Sequence, residues 1–155
     1  MKPKEYLRQV KYLDKEIDAK LKLIEDCRAR AESTGTFSTD QKIQSSGGLG
    51  FSDWIDKVVD LEQDVNAKID ELINLKQTIN TQIDKMDNPC YRLILINHYL
   101  LDLSLGEIAA KYNYNYSYVK HVHGHALLDF KEKNREVFDD TRLWQLKSGS
   151  TKTSS

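Results

Sequence analysis

The sequence lacks the features that mark several common classes of protein. It has only two cysteines, Cys27 and Cys90, and they form no CxxC pair of the kind found in zinc ribbons and redox motifs. No apolar run approaches the roughly 18 residues of a membrane-spanning helix, and the opening residues MKPKEYLRQV contain no apolar core of signal-peptide length. These absences predict a soluble, intracellular protein in which two free thiols are ordinary.

Catalytic patterns are also missing. The run Gly47-Gly48-Leu49-Gly50 is not followed by the Lys-Ser/Thr pair of a phosphate-binding loop, so we interpret it as part of a loop. The sequence shows no nucleophile elbow and no paired carboxylates in an apolar setting. We therefore expect a protein that is not an enzyme and that needs no cofactor.

Positive and negative charges nearly balance over the whole chain, but they are unevenly distributed between its segments. The formal net charge of −1 argues against a protein that coats nucleic acid without specificity. Residues 1–87 carry 14 Lys and Arg against 17 Asp and Glu, whereas residues 88–135 carry 6 against 4 and contain all four histidines. The positive charge therefore lies in the segment 88–135.

Two long segments have the apolar spacing of amphipathic helices. In residues 4–31 and 52–87, apolar residues recur every three or four positions and charged residues fill most of the others. Each stripe is long and narrow, as in a coiled-coil seam, and neither helix can bury its stripe alone. We therefore predict an antiparallel helical hairpin over residues 1–87. The two stripes are Tyr6, Val10, Leu13, Ile17, Leu21 and Ile24, and then Trp54, Val58, Leu61, Val65, Ile69, Leu72, Leu75, Ile79, Ile83 and Met86.

Other segments separate and follow these helices. Residues 33–52 are rich in Ser, Thr and Gly, which predicts a flexible loop that ends at Ser52, the expected N-cap of the second helix. Asn88-Pro89 should end that helix. We expect a helix-turn-helix domain over residues 88–135, followed by a short extension and a disordered tail over residues 136–155. The predicted fold class is all-α, a long coiled-coil-like hairpin followed by a compact domain.

The segment 88–135 carries local signals of a helix-turn-helix. After an apolar helix over residues 91–101, the sequence Ser104-Leu105-Gly106-Glu107 predicts a capping box, in which the Ser104 hydroxyl accepts a hydrogen bond from the Glu107 N–H. Asn113 lies where the chain must turn, and asparagine adopts the left-handed conformation more readily than most residues. Asn115 is then the expected N-cap of a helix from Tyr116 to about Phe130.

The sequence contains Tyr6-Leu7, Arg92-Leu93-Ile94-Leu95, Tyr99-Leu100, Leu105-Gly106-Glu107-Ile108-Ala109, Tyr114-Asn115-Tyr116, Val119 and His123-Gly124-His125-Ala126-Leu127. With the caps and the turn, these residues resemble small phage and prophage proteins with a C-terminal helix-turn-helix. They look like ArpU-type late transcription regulators and the promoter-binding fourth region of bacterial sigma factors, and the resemblance covers most of residues 5–130. It departs from the family pattern at Asn113 and Asn115, where Gly and Ser are usual. It implies a phage-type transcription regulator in the cytoplasm of a bacterial host.

The second helix of this motif supplies the expected DNA-binding residues. In a helix-turn-helix it enters the major groove of duplex DNA, and outward side chains near its N-terminus meet base edges. Those side chains, with one further basic residue from the preceding helix, are Tyr116, Ser117, Lys120, His121 and Lys111.

Other partners follow from the same interpretation. The outer side of the hairpin favours a homodimer because it is expected to expose Leu7, Leu23, Ile55, Val59 and Ile73. The alternative function is a non-enzymatic protein-interaction module, or a sigma-like accessory factor that contacts RNA polymerase. The net charge near zero favours this alternative, whereas salt-dependent binding to duplex DNA would favour the regulator.

The histidines and tyrosines allow two weaker hypotheses. His121 and His125 share a helix face as zinc ligands often do, but no Asp, Glu or Cys at ligand spacing completes the set, so we expect no metal site. Contact of His121 or His125 with DNA phosphate, with His123 packed at the domain edge, agrees better with this spacing. The Tyr-rich run 112–118 would suit stacking of single-stranded bases, although core, turn and duplex contacts explain it better.

Overall fold

A computed structural model describes residues 1–37 and 50–139, and most of these residues are helical. Within these two ranges the structure has no β-strand, including in the run 112–118 whose alternation resembles one. The all-α prediction is confirmed. The elements are α1 (Pro3–Phe37), α2 (Phe51–Asp84), α3 (Pro89–Leu95), a π-helical turn (Ile96–Leu100), α4 (Leu105–Lys111), α5 (Tyr116–Lys133) and α6 (Arg135–Phe138).

The chain forms two compact units, and both include parts of the long helices. The hairpin unit spans residues 12–75 and therefore contains most of α1 and α2. The terminal unit contains the described residues 1–11 and 76–139, so the first turns of α1 and the end of α2 belong with the C-terminal helices. The boundary predicted at residue 88 lies within the terminal unit.

In the hairpin unit, α1 and α2 run antiparallel. Lys20 forms an ion pair with Asp64, and Lys68 of α2 lies 3.9 Å from the carboxylate of Glu16, earlier in α1. Buried side chains recur every seven residues in each helix, which is the repeat of a coiled-coil seam, and most of them belong to the stripes that the sequence predicts. They are Ile17, Ile24 and Ala31 in α1, and Val58, Val65 and Leu72 in α2.

The ends of the long helices differ from the predictions. Residues 33–37 continue α1 instead of starting a loop, since one helix extends readily once it is formed. The N-cap prediction for Ser52 is wrong, because α2 begins at Phe51 and the Asp53 carboxylate accepts the Gly50 N–H at 3.1 Å. The predicted flexible loop over residues 38–49 and the predicted disordered tail over residues 140–155 lie outside the described residues.

The C-terminal end of α2 lies earlier in the structure than the sequence predicts. The helix ends at Asp84, three residues before the predicted Asp87, and its last turn tightens as the Met86 N–H binds the Ile83 carbonyl at 2.9 Å. Asn88 then caps α3, because its side chain accepts the backbone N–H of Cys90 at 2.9 Å. Pro89 occupies the first turn of α3, where the missing N–H costs nothing.

Aromatic and aliphatic side chains join the start of α1 to α5 and α6 in the terminal unit. The ring of Tyr6 lies 6.2 Å from that of Phe130 and 5.5 Å from that of Phe138. Leu7 is fully buried, so its predicted place on the exposed outer side is wrong. The prediction for Leu21 is also wrong, because this residue is 42% exposed and not buried in the seam of the hairpin.

Candidate nucleic-acid interface

A four-residue turn, Tyr112–Asn115, joins α4 to α5 and is built from the predicted local signals. The Ser104 hydroxyl accepts the Glu107 N–H at 3.1 Å, which caps α4. Asn113 has φ 56°, in the left-handed region, and the Tyr114 N–H reaches back to the Ala109 carbonyl at 2.8 Å, as in a Schellman motif. Asn115 then accepts the Ser117 N–H at 3.0 Å and starts α5.

The core beneath this turn fixes the crossing of α3, α4 and α5. Ala109 is 5% exposed, and its small side chain lies where α4 and α5 pack closely, as expected at a tight turn. The outward face of α5 is set by this packing, because side chains on the side of the helix opposite Val119 and Val122 face solvent. The buried core residues are Ile94, Ile108, Ala109, Val119 and Val122.

A π-helical turn interrupts the single α-helix predicted over residues 91–101. The Asn97 side chain donates to the Leu93 carbonyl at 2.8 Å, the group that its own backbone N–H would bind in an α-helix. The ladder then shifts, and the Leu101 N–H binds the Ile96 carbonyl at 3.0 Å. The spacing of apolar residues does not indicate this change from an α-helix to a π-helix. An indication in the sequence is the polar Asn97 within the apolar segment.

Asn97 also links the π-helical turn to α4. Its amide donates to the Tyr112 hydroxyl at 3.0 Å, and its carbonyl oxygen lies 3.3 Å from the Lys111 amine. The Lys111 amine in addition lies 5.4 Å from the centre of the Tyr112 ring. Lys111, one of the predicted DNA contacts, is therefore held against its own domain.

The structure brings the other predicted residues onto one exposed face at the start of α5. All four side chains are exposed, and Gly124 lies further along the helix, where an added Cβ would meet no atom within 4 Å. This face offers a hydroxyl group, an amine, a phenol and an imidazole to a partner. The four residues are Tyr116, Ser117, Lys120 and His121.

Two of the histidines form a close pair on α5. The Nε2 atoms of His121 and His125 are 3.0 Å apart, and the ring centres are 4.5 Å apart. Both side chains are exposed. Among the described residues there is no group of three or more His, Cys, Asp and Glu side chains arranged to hold a metal ion.

The remaining histidines lie inside the terminal unit. Burial lowers the pKa of His123 to about 4, and the positive charges of nearby groups, including Lys4 and Arg8, act in the same direction. His98 donates from Nδ1 to the Leu103 carbonyl at 2.7 Å, and burial lowers its pKa as well. The prediction that His123 packs in the domain agrees with its 8% exposure.

Charge is segregated between the two units. Among the described residues, the terminal unit carries 12 Lys and Arg against 9 Asp and Glu, a net of +3, whereas the hairpin unit carries 7 against 13, a net of −6. The N-terminal segment 1–11 alone contributes +3. Sequence reasoning missed this segment, although the i, i+4 spacing of Lys4 and Arg8 could have indicated a basic face.

Comparisons with known proteins add no assignment. No family model matches the chain, and neither the curated proteins nor the solved structures include a match. Within residues 1–37 and 50–139, no helix is long and apolar enough to cross a membrane.

Proposed function

We propose that this protein is a phage-type, DNA-binding transcription regulator that binds duplex DNA through α4 and α5. The observation that carries the proposal is the exposed row Tyr116, Ser117, Lys120 and His121 at the N-terminal end of α5, after a capped turn. A helix held in this way can insert its first turns into a major groove, which is about 12 Å wide.

Each side chain of this row has a chemical role in the proposal. Lys120 can pair with a phosphate or with the acceptor edge of a guanine, and Ser117 and Tyr116 can donate hydrogen bonds. His121 can donate to a phosphate oxygen. Lys111 would have to leave Asn97 to reach DNA, so we assign it a smaller contribution to affinity than Lys120.

The charge distribution supports the same proposal. The net charge of −1 for the whole chain favours the protein-interaction alternative, but this average combines a positive terminal unit with a negative hairpin unit. Lys4 and Arg8 of α1 belong to the same unit as α5 and contribute to its positive net charge. Positive charge near a groove-binding helix strengthens phosphate contact and steers association.

Binding of the full chain to duplex DNA from its own promoter regions tests the proposal. Fluorescence anisotropy at low salt should detect binding that weakens steeply as salt increases. Lys120→Ala should weaken binding by roughly 1–3 kcal/mol for the preferred sequence if Lys120 contacts a base. Lys57→Ala, an exposed lysine in the hairpin unit, is the matched control and should leave affinity unchanged. Absence of duplex binding at low salt would exclude this function.

The hairpin unit favours a protein partner, and we propose a second copy of the chain. Five apolar residues on its surface are between 41% and 50% exposed, and regulators with one helix-turn-helix per chain gain affinity from two half-sites. Sedimentation at micromolar concentration should show a dimer that Val59→Asp weakens. A wild-type monomer would exclude self-association and leave RNA polymerase as the partner to test. The five residues are Leu21, Leu23, Ile55, Val59 and Ile73.

A further inference from the structure

The sequence alone predicts no metal site, but from the geometry of the structure we propose that His121 and His125 form a binding site for one divalent transition-metal ion of the Cu²⁺, Ni²⁺ and Zn²⁺ class. The two residues are one helical turn apart on α5, and their Nε2 atoms already lie 3.0 Å from each other. Both imidazoles are exposed, so an ion can reach them from solvent without any opening of the fold.

The distance between the two nitrogens suits coordination of a single ion. Bonds from a metal ion to imidazole nitrogen are about 2.0–2.1 Å long, so two such bonds to atoms 3.0 Å apart enclose an angle of about 95° at the metal. That angle is close to the right angle between adjacent ligands in tetragonal Cu²⁺ and Ni²⁺ sites. A tetrahedral Zn²⁺ site needs only a slightly wider separation of the two rings.

The other two histidines of the chain do not offer a competing pair. His123 uses Nε2 in a hydrogen bond to the Tyr99 hydroxyl at 2.8 Å, and His98 uses Nδ1 to bind the Leu103 carbonyl at 2.7 Å. Both rings are buried or partly buried, so an ion could reach them only by opening the packing of the terminal unit. The exposed pair on α5 exchanges only one hydrogen bond between its own rings for two coordinate bonds.

The site supplies two protein ligands and leaves the other coordination positions open. No third His, Cys, Asp or Glu joins the pair to make a larger cluster in the described parts of the chain. Water therefore completes the coordination shell of the free protein. The second imidazole acts at a high effective concentration once the first has bound, so loss of either ring should weaken binding strongly.

Calorimetric titration of the untagged full chain with Ni²⁺ tests this site directly. We expect one ion per chain, and His121→Ala or His125→Ala should weaken binding roughly ten- to a hundred-fold. Asp129→Asn, one turn beyond His125, keeps both imidazoles and should bind as the wild type does. Because both histidines are exposed, the variants should fold, and circular dichroism checks this.

Electron paramagnetic resonance with Cu²⁺ provides a second measurement that identifies the ligands. The wild-type spectrum should show hyperfine coupling to two imidazole nitrogens, and each single variant should show one. Ni²⁺ affinity equal to that of the wild type in the double variant His121→Ala/His125→Ala would overturn the proposal, as would absence of binding to the wild type. Neither measurement involves DNA, so the metal site can fail while the proposed DNA binding stands.

Discussion

The hydroxyl of Tyr99 and the Nε2 atom of His123 lie 2.8 Å apart inside the terminal unit, with the two rings stacked at 5.7 Å. Burial raises the pKa of Tyr99 to about 12 and lowers that of His123 to about 4. Both residues are therefore neutral at pH 7, and their hydrogen bond joins the π-helical turn to α5. Neither side chain therefore needs a charged partner where the π-helical turn meets α5.

The neutral His123 predicts that stability falls in mild acid. The unfolded chain takes up the histidine proton near pH 6.5, whereas the folded chain resists it until about pH 4, so the unfolded state binds more protons between these values. The free energy of unfolding should therefore decrease as pH falls through this window, by up to about 3 kcal/mol from His123. His98, whose pKa is also lowered, adds to the effect in the same direction.

Urea denaturation at several pH values measures this dependence. His123→Gln should be less stable than the wild type at pH 7, but its stability should change less between pH 6.5 and 4. A wild-type protein whose stability is constant across this range would contradict the assigned protonation state. The groups whose charges face His123 are His98, Lys4 and Arg8.

The seam of the hairpin predicts that the same substitution has very different effects on stability at two residues only two positions apart. Leu72 is 9% exposed in the heptad row, whereas its near neighbour Asn74 is exposed. Leu72→Asp should reduce the free energy of unfolding by several kcal/mol because it buries a carboxylate without a partner. Asn74→Asp introduces the same charge at the surface and should change stability by less than about 0.5 kcal/mol. Equal thermal melts of the two variants would contradict the packing of α1 against α2.

The turn before α5 gives a prediction about backbone conformation. With φ 56°, Asn113 occupies the left-handed region, which costs an ordinary residue roughly 1–2 kcal/mol. Asn113→Ala should therefore destabilise the protein by about that amount, whereas Asn113→Gly should leave it equally stable or more stable. Denaturant titration distinguishes the two variants, and an alanine variant as stable as the glycine variant would show that the turn is not strained.

The sequence predicts local features such as caps and turns, but it does not predict contacts between distant residues. The Ser104 cap, the Asn113 turn and the Asn115 cap are each decided within four residues, and all three appear where they were predicted. The fold of the terminal unit depends instead on contacts such as Tyr6 with Phe130, which are 124 positions apart in the printed sequence. Apolar spacing shows that Tyr6 can face a core, but it cannot show which partner helix supplies that core.

The candidate site shows the same limit. Helical spacing predicts that His121 and His125 share a face, but the 3.0 Å separation of their Nε2 atoms depends on side-chain torsions that spacing does not specify. The contacts of Asn97 with Lys111 and Tyr112 were also hidden, because they arise from a π-helical turn inside an apolar segment. Such a turn follows from competition between side chain and backbone, which a hydrophobic pattern does not record.

Metal binding and DNA binding should compete if both proposals hold, since each uses His121. Addition of Ni²⁺ at a concentration that saturates the pair should weaken duplex binding by the wild type. The variant His125→Ala keeps His121 but cannot chelate, so the same Ni²⁺ concentration should leave its DNA affinity unchanged. Fluorescence anisotropy measures both, with Mg²⁺ as the control for divalent charge. An equal effect of Ni²⁺ on the two proteins would show that the metal acts elsewhere.

Gly124 predicts opposite effects on stability and on binding. This glycine lies within α5, where it costs roughly 0.5–1 kcal/mol relative to alanine, and its open surroundings give no packing reason for it. It lies on the same helix as the exposed row that begins at Tyr116, so we infer that it allows close approach of a DNA backbone.

Gly124→Ala should raise the free energy of unfolding by about 0.5–1 kcal/mol and weaken duplex binding. Gly124→Gln, whose side chain is larger, should weaken binding further while folding stays intact, and thermal melts with anisotropy titrations measure both effects. If both variants are more stable than the wild type and bind DNA as well as the wild type does, the glycine has no role in close approach to a partner.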